Sequence, residues 1–308
     1  MQIVDQGDTI ARLPVPRLIE ALEQMFIEGC EVPLRHTHTI ESTDGKSNGT
    51  VLLMPAWQKG GKLGVKTVSI YPNNRSRGLP GLHSTYLLFD AETGVPLAML
   101  DGDTITSRRT AAASALAGRF LSRTDASKLV LLGSGRVGSL IPEAYAAVRP
   151  ITQVMVWDID ANSAARLVDS LNRTGVTATV VTDLEASVAQ ADIVSCATLS
   201  TSPLVQGKWL RSGTHLDLIG GFTPAMRESD NNCYVNTSVF IDTDEALAKA
   251  GDLLEPINAG VFHGDQVRAR LQQLCRKEHP GRMGREEITV FKAVGTALED
   301  LAAACAAL

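Results

Sequence analysis

The ten residues Leu129–Gly138, reading L-V-L-L-G-S-G-R-V-G, restrict the fold more than any other stretch of the chain. Leu129–Leu132 is an apolar run of strand length. Gly133, Gly135 and Gly138 follow in G-x-G-x-x-G spacing, and a helical pattern begins at once with Leu140, Ala144 and Ala147 on one face. Each glycine has a separate task in a dinucleotide site. Gly133 permits a tight turn, Gly135 clears a path for backbone to approach a pyrophosphate, and Gly138 lets helix and strand pack closely. The helix N-terminus then faces the anion. A glycine-rich turn in any α/β domain can meet this spacing alone. The second half of the test lies further on, where Val154–Trp157 reads as the next strand and Asp158 ends it. That places an acid where a ribose 2′-OH sits. Ser134, Arg136 and Val137 within the turn, and Thr198 after a later strand, are expected to join the glycines and Asp158 in holding NAD(H), with NADP(H) as the alternative.

The rest of the C-terminal two thirds fits this frame. Short apolar strands at Leu129–Leu132, Val154–Trp157, Ala178–Val181, Ile193–Cys196 and His215–Ile219 alternate with helical or loop segments, and Val239–Asp242 is a further strand candidate. Such alternation specifies a parallel, doubly wound sheet. The N-terminal third reads differently. An amphipathic helix over Val15–Ile27 stops at Gly29. Strand candidates follow at Val51–Trp57 and Leu63–Tyr71, then a loop over Pro72–Gly81 and a hairpin of Thr85–Phe89 with Val95–Leu100. From Thr104 to Leu121 the pattern is helical and alanine-rich. Gly295–Leu308 is a helix apolar almost all round, which must be buried against the first domain or in a subunit contact. The expected class is therefore α/β, a Rossmann-type doubly wound sheet plus an α+β domain. Residues 1–115, completed by the helix 293–308, form a substrate-binding and dimerisation domain, and 116–292 the NAD(P)-binding domain. A ligand site in the cleft between them follows from where open α/β sheets bind ligands.

Composition excludes several classes. A chain of 308 residues with 29 Lys and Arg against 34 Asp and Glu, net −5, and without a basic tail, is not expected to bind nucleic acid or an anionic membrane. The five cysteines (Cys30, Cys196, Cys233, Cys275 and Cys305) are scattered with no C-x-x-C, which fits a reducing, cytoplasmic setting. No signal peptide or apolar run of bilayer length is expected. No His/Asp/Cys cluster has metal-ligand spacing, so no metal is expected.

Three cations stand in apolar contexts: Arg35 in V-P-L-R-H-T, Lys66 in L-G-V-K-T-V and Arg109 in T-S-R-R-T-A-A-A. Taken alone, each reads as a solvated or snorkelling charge, the usual fate of Lys and Arg. Strand alternation puts Lys66 opposite Val65 and away from that apolar face. His83, in P-G-L-H-S-T, reads as a loop or packing histidine that could also reach a site, and His36 and His38 alternate across a possible strand.

The run G-V-K-T-V, the stretch L-L-F-D-A-E-T-G-V-P-L-A-M-L-D-G-D-T-I-T-S-R-R-T-A-A-A-S-A-L-A, the turn L-L-G-S-G-R-V-G, the segment G-T-H-L-D-L-I-G-G and the C-terminal I-T-V-F-K-A-V-G-T-A-L-E-D-L-A-A-A together resemble the ornithine cyclodeaminase/mu-crystallin family. The resemblance covers nearly the whole chain and is closest to the ketimine reductase branch. It implies a homodimer that uses NAD(P)H. It implies that Arg35 and Arg109 clamp a substrate carboxylate, which suits their forked guanidinium groups. It places Lys66 at the substrate as proton donor, with a pKa lowered by partial burial and two nearby arginines. It makes Thr110 a cofactor-phosphate contact, and sets Val290, Phe291 and Gly295 against the nicotinamide.

One position departs from the cyclodeaminase pattern. Where cyclodeaminases carry an aspartate that engages the amino groups of ornithine, this chain has Phe222, in G-G-F-T-P-A-M-R-E. A phenyl ring cannot pair with an ammonium, but it can wall an apolar ring; it can equally be a core residue. The expected activity is thus NAD(P)H-dependent reduction of a cyclic ketimine carboxylate, Δ1-pyrroline-2-carboxylate to L-proline. The alternatives are ornithine cyclodeamination and a non-catalytic binder of the mu-crystallin kind.

Overall fold

The computed structural model describes residues 1–43 and 47–308, which form two compact units, Met1–Arg109 with Thr296–Leu308, and Thr110–Gly295. The division falls inside a single helix, between Arg109 and Thr110, a few residues before the expected boundary at 115.

The first unit contains β1 (Gln2–Val4), α1 (Gln6–Arg12), α2 (Val15–Glu28), β2 (His36–Glu41), β3 (Ser47–Trp57), β4 (Lys62–Ile70), β5 (Leu82–Asp90), β6 (Pro96–Asp101) and the start of α3 (Gly102–Leu121). Its sheet runs β1-β6-β5-β4-β3-β2, antiparallel except for the β1/β6 pair. The amphipathic pattern of α2 buries Leu18, Ile19, Leu22, Met25 and Phe26. The C-terminal helix packs on α2, β3 and β4, which decides between its two expected burial sites in favour of this unit. Its alanines allow that approach, with Leu301, Ala303 and Ala304 fully buried. The possible strand across His36 and His38 is present as β2. It is an edge strand whose six residues are all exposed, so no buried face marks it in sequence. His83 is not in a loop, as expected, but on β5, exposed and opposite Ser69.

The second unit holds β7 (Lys128–Leu132), α4 (Ile141–Ala146), β8 (Gln153–Trp157), α5 (Ala161–Arg173), β9 (Thr177–Val180), α6 (Leu184–Gln190), β10 (Ile193–Cys196), β11 (His215–Leu218), β12 (Ser238–Ile241), α7 (Glu245–Lys249), α8 (Gly251–Asn258), β13 (Ala269–Arg270), α9 (Leu271–Cys275) and β14 (Thr289–Lys292); α10 (Ala297–Ala306) then returns to the first unit. The eight strands pair in parallel in the order β13-β12-β14-β11-β10-β7-β8-β9. Chain order reverses on either side of β7, the topological switch point at which open α/β sheets bind ligands. The core is built from Val130, Leu132, Val194, Cys196, Leu216, Leu218, Ile241 and Val290.

Two features differ from expectation. The helix after the glycine turn begins with a 3-10 turn at Gly138–Leu140, which shifts its buried face to Ile141, Ala144 and Tyr145 and leaves Ala147 exposed. The segment carrying Val290 and Phe291 is a central strand, β14, seated between β11 and β12. Both side chains are fully buried there, so they serve the core. At the opposite end of the strands, Arg149 and Arg282 cap the C-terminal carbonyls of α3, bonding Gly118, Arg119 and Ser122 in one case and Leu121 in the other.

Candidate active site

Lys66 sits mid-strand on β4, between Met54 of β3 and Tyr86 of β5. It is opposite Val65, as alternation requires, but its own face, shared with Gly64 and Val68, is the buried one. The side chain is only 3% exposed, and its ammonium lies 2.6 Å from an Asp300 carboxylate oxygen. It also donates to the Thr106 hydroxyl at 3.4 Å. Burial pulls the Lys66 pKa below its ordinary value; Asp300 opposes that shift and Arg109 reinforces it.

Arg109 projects from the first half of α3 into the same cluster. Its Nε donates to Asp300 at 2.9 Å and a terminal nitrogen donates to Glu299 at 2.5 Å. Burial opposes the guanidinium charge, but the two carboxylates outweigh it and raise its pKa. The Asp300 carboxylate is held below the usual range: Lys66 and Arg109 overcome the effect of burial. Glu299 and Asp300 lie in the first turn of α10, where the helix dipole favours anions. Lys66 and Arg109 are therefore brought together through Asp300. Neighbouring Arg108 has a different task, bonding the Leu13 carbonyl at 2.8 Å. Arg35 is half-buried on the segment that enters β2, and Thr110 is half-buried on α3.

In the second unit, Gly133 has φ +93°, and a Cβ there would lie 2.7 Å from the Ala197 carbonyl oxygen. A Cβ on Gly138 would fall 1.9 Å from the Gly133 carbonyl oxygen, so both glycines are required by the turn itself. Gly135 is different, since a Cβ there would meet no atom within 4 Å. That open space over main chain fits a dinucleotide phosphate. Asp158, at the end of β8, accepts the Ser134 N–H and hydroxyl, each at 2.7 Å, and the Asp160 N–H at 2.9 Å. Its pKa is lowered by these hydrogen bonds, which outweigh burial. Arg136 and Val137 complete the turn, and Ser139 N–H bonds back to the Gly135 carbonyl.

A buried polar network beyond β10, β11 and β14 was not anticipated. Glu228 accepts from the Thr198 N–H and hydroxyl at 2.7 and 2.8 Å and from the Gly220 and Gly221 N–H groups at 2.9 and 3.2 Å. Lys292 pairs with Asp252 at 2.9 Å, and Asp252 in turn accepts the Glu228 and Ser229 N–H groups. Asp242 accepts the Val294 and Gly295 N–H groups at 2.8 and 2.7 Å. Burial pushes the Glu228 pKa up to about 7, with Lys292 opposing the shift. This network fixes Thr198, the turn leading to Phe222, and Gly295. Phe222 itself is 43% exposed, which rules out the core reading. Asp217 is committed to the fold, buried in β11 and bonded by the hydroxyls of Ser114 and Ser195. The overlooked signals were a lysine inside an apolar strand (Lys292) and two adjacent acids (Glu299 and Asp300) in an otherwise apolar helix.

A profile of the ornithine cyclodeaminase/mu-crystallin family matches residues 4–307. The chain belongs to that family. Among its relatives, a Δ1-pyrroline-2-carboxylate reductase of Colwellia psychrerythraea is 35% identical over 99% of this chain and 97% of its own length. Among solved structures, Thermococcus litoralis Δ1-pyrroline-2-carboxylate reductase in complex with NADH and L-proline aligns with a TM-score of 0.92 at 32% identity, covering 100% of this chain and 96% of that one. An archaeal alanine dehydrogenase dimer with bound NAD aligns with a TM-score of 0.91 at 27% identity, covering 100% and 94%. The family match thus spans both units.

Proposed function

We propose that this chain is an NADH-dependent reductase of cyclic ketimine carboxylates, converting Δ1-pyrroline-2-carboxylate to L-proline. The observation that carries the reading is the buried Lys66 ammonium, tied to Asp300 and accompanied by Arg109. A hydride acceptor of this class needs a proton on its imine nitrogen and a cation for its carboxylate. Lys66 has a lowered pKa and so gives up its proton more readily than an ordinary lysine. Arg109 spends donors on Glu299 and Asp300 but keeps others of its five for a carboxylate, with Arg35 as second partner. The cofactor, when bound, supplies the hydride; Gly133–Gly138, Asp158, Thr198 and Thr110 are the residues we assign to holding it. Phe222 offers an apolar surface to the ring. His83 is assigned to the substrate and Gly295 to the cofactor on the resemblance alone, while Val290 and Phe291 are fully buried in β14.

Cyclodeamination of ornithine is disfavoured because Phe222 replaces the anion that reaction uses. A homodimer accords with the exposed edge strand β2, an open ladder suited to pairing, and with the dimeric archaeal relative. A cytoplasmic location accords with five free cysteines. Among the described residues no helix is long and apolar enough to cross a membrane. The test is the loss of NADH absorbance on adding Δ1-pyrroline-2-carboxylate, with proline as product. Tight NADH binding without turnover of the imine would instead leave the binder reading in place.

A further inference from the structure

We propose that Asp300 is the positioning residue of the proton donor, holding the Lys66 ammonium from α10 and leaving a net negative cluster behind once the proton has passed to the imine nitrogen. The inference rests on the reductase reading. Its basis is the charge arrangement of the four groups Lys66, Arg109, Glu299 and Asp300, each at least nine-tenths buried. Two cations face two carboxylates, so the cluster is neutral before reaction. In the proton step the Lys66 Nζ–H bond breaks and an N–H bond forms on the imine. Lys66 becomes a neutral amine, and Arg109 with Glu299 and Asp300 then carries one net negative charge. That charge faces the cationic imine made by the same step, the species that accepts hydride. Lys66 regains its proton from solvent after turnover. In a site of low dielectric such preorganised charge is more effective than in water.

Every group around Lys66 fits this assignment. α3 contributes Arg109 and Thr106, α10 contributes Glu299 and Asp300, and the flanking strands place Met54 and Tyr86 beside Lys66 in register. Burial holds Tyr86 neutral by raising its pKa well above the ordinary value. Asp300 is then the one carboxylate in direct contact with both cations, one oxygen on Lys66 and the other on Arg109. Without it, only the more distant Glu299 charge is left to oppose burial and Arg109, and the Lys66 pKa falls further, so that less of the donor is protonated when substrate arrives.

The experiment compares wild type, Asp300→Asn and Asp300→Glu with NADH and Δ1-pyrroline-2-carboxylate across pH. Asp300→Asn is expected to lose about 10²-fold in kcat, as for a missing general acid, with little change in KM for NADH. Its alkaline limb should move to lower pH. Asp300→Glu retains the charge, so it should keep the wild-type alkaline limb while kcat falls through misplacement of the ammonium. An Asp300→Asn enzyme with the wild-type limb and kcat overturns the proposal. If Asp300→Asn does not fold, Asp300→Glu decides, since wild-type kcat there removes the positioning role. Absence of imine turnover in the wild type strikes the reductase reading instead. Titration of the Lys66 side chain by ¹⁵N NMR, assigned with Lys66→Met, then tests the hold of Asp300 without turnover. The Nζ is expected to titrate at lower pH in Asp300→Asn than in wild type, and an Nζ that titrates at the same pH in both overturns it.

Discussion

Asp158 closes the glycine turn by accepting both the N–H and the hydroxyl of Ser134 at 2.7 Å through a single carboxylate oxygen. The residue expected to read the ribose is thus also a strut of the loop that approaches the phosphates. The other oxygen bonds the Asp160 N–H at 2.9 Å. Each carboxylate oxygen offers two acceptor positions, so capacity for a ribose hydroxyl remains.

The first prediction concerns cofactor choice. Asp158 is ionised and would repel a 2′-phosphate. Of the nearby cations, Arg166 is drawn to Asp160 at 3.6 Å and bonds Ser163. NADH should therefore support a kcat/KM at least equal to that of NADPH. The measurement is the ratio for the two cofactors at fixed imine; a preference for NADPH above about tenfold would remove the ribose role of Asp158. Asp158→Ala should weaken NADH binding more than loss of a ribose contact alone requires, because the turn loses its strut.

The second prediction separates two duties of Arg109. Arg109→Leu removes a substrate partner and also strips Glu299 and Asp300 of a buried counter-charge. We expect a loss of about 2–5 kcal/mol in kcat/KM, typical when one partner of a buried charge pair is truncated. The melting temperature should fall as well, since unpaired buried carboxylates are costly. Arg109→Lys keeps the charge but not the fork, and should recover more of the stability than of the KM for imine. NADH affinity should change little in either. A folded Arg109→Leu enzyme with wild-type kinetics would show that the carboxylate is held elsewhere.

The sequence pattern disclosed the nucleotide-binding half more fully than the cluster around Lys66, for a physical reason. Strand, glycine turn and acid are local, and their spacing carries the geometry. The strands at 129–132, 154–157 and 193–196 were legible because each is a run of apolar residues bounded by turn signals. β14 was not, because T-V-F-K ends on a charge whose partner, Asp252, lies forty residues earlier in the chain. Lys66 shows the same limit. Leu63 and Val65 suggest that their face is the buried one, but α10 covers the opposite face from more than two hundred residues away. Burial of a lysine depends on the acid that meets it, and Asp300 is visible as that acid only once α10 is docked.

The third prediction concerns acid stability. His215 on β11 is fully buried, with Nδ1 3.0 Å from the Thr289 hydroxyl. Burial, with Arg282 and Arg149 adding repulsion, lowers its pKa from 6.5 to about 3. The unfolded chain therefore binds a proton below about pH 6.5 that the folded chain refuses until about pH 3. Stability contributed by the neutral ring is fully present above that window and is lost as pH falls through it. The slope should approach ~1.4 kcal/mol per pH unit from this group alone. Denaturant melts at several pH values between these limits, on wild type and His215→Gln, measure it. The variant should show a slope smaller by about one proton; equal slopes would assign the acid sensitivity to other groups.

The last prediction turns on Phe222. Ornithine near neutral pH carries two ammonium groups, and cyclodeamination requires an anion to hold one and to draw a proton from an attacking amine. An unpaired cation in a closed site is costly. In this chain the position carries a phenyl ring, 43% exposed at the end of a turn that Glu228 pins through Gly220 and Gly221. Two acids that could stand in for that anion are already committed: Glu228 to four N–H and hydroxyl donors, and Asp217, on β11, to the hydroxyls of Ser114 and Ser195. Neither can swing out without leaving buried donors unmet, at roughly 1–3 kcal/mol each. Lys66 and Arg109 would add repulsion toward the second ammonium. A cyclic imine acid carries one carboxylate and at most one delocalised positive charge, so it tolerates an apolar wall. We therefore expect imine reduction to proceed readily while ornithine is turned over at least about 10²-fold more slowly at saturating cofactor, the cost of roughly 3 kcal/mol for an uncompensated charge. Phe222→Asp should narrow the gap from both sides, slowing imine reduction and raising ornithine affinity. Comparable rates for both substrates in the wild type would show that some other carboxylate supplies the anion, and would return cyclodeamination to the leading reading.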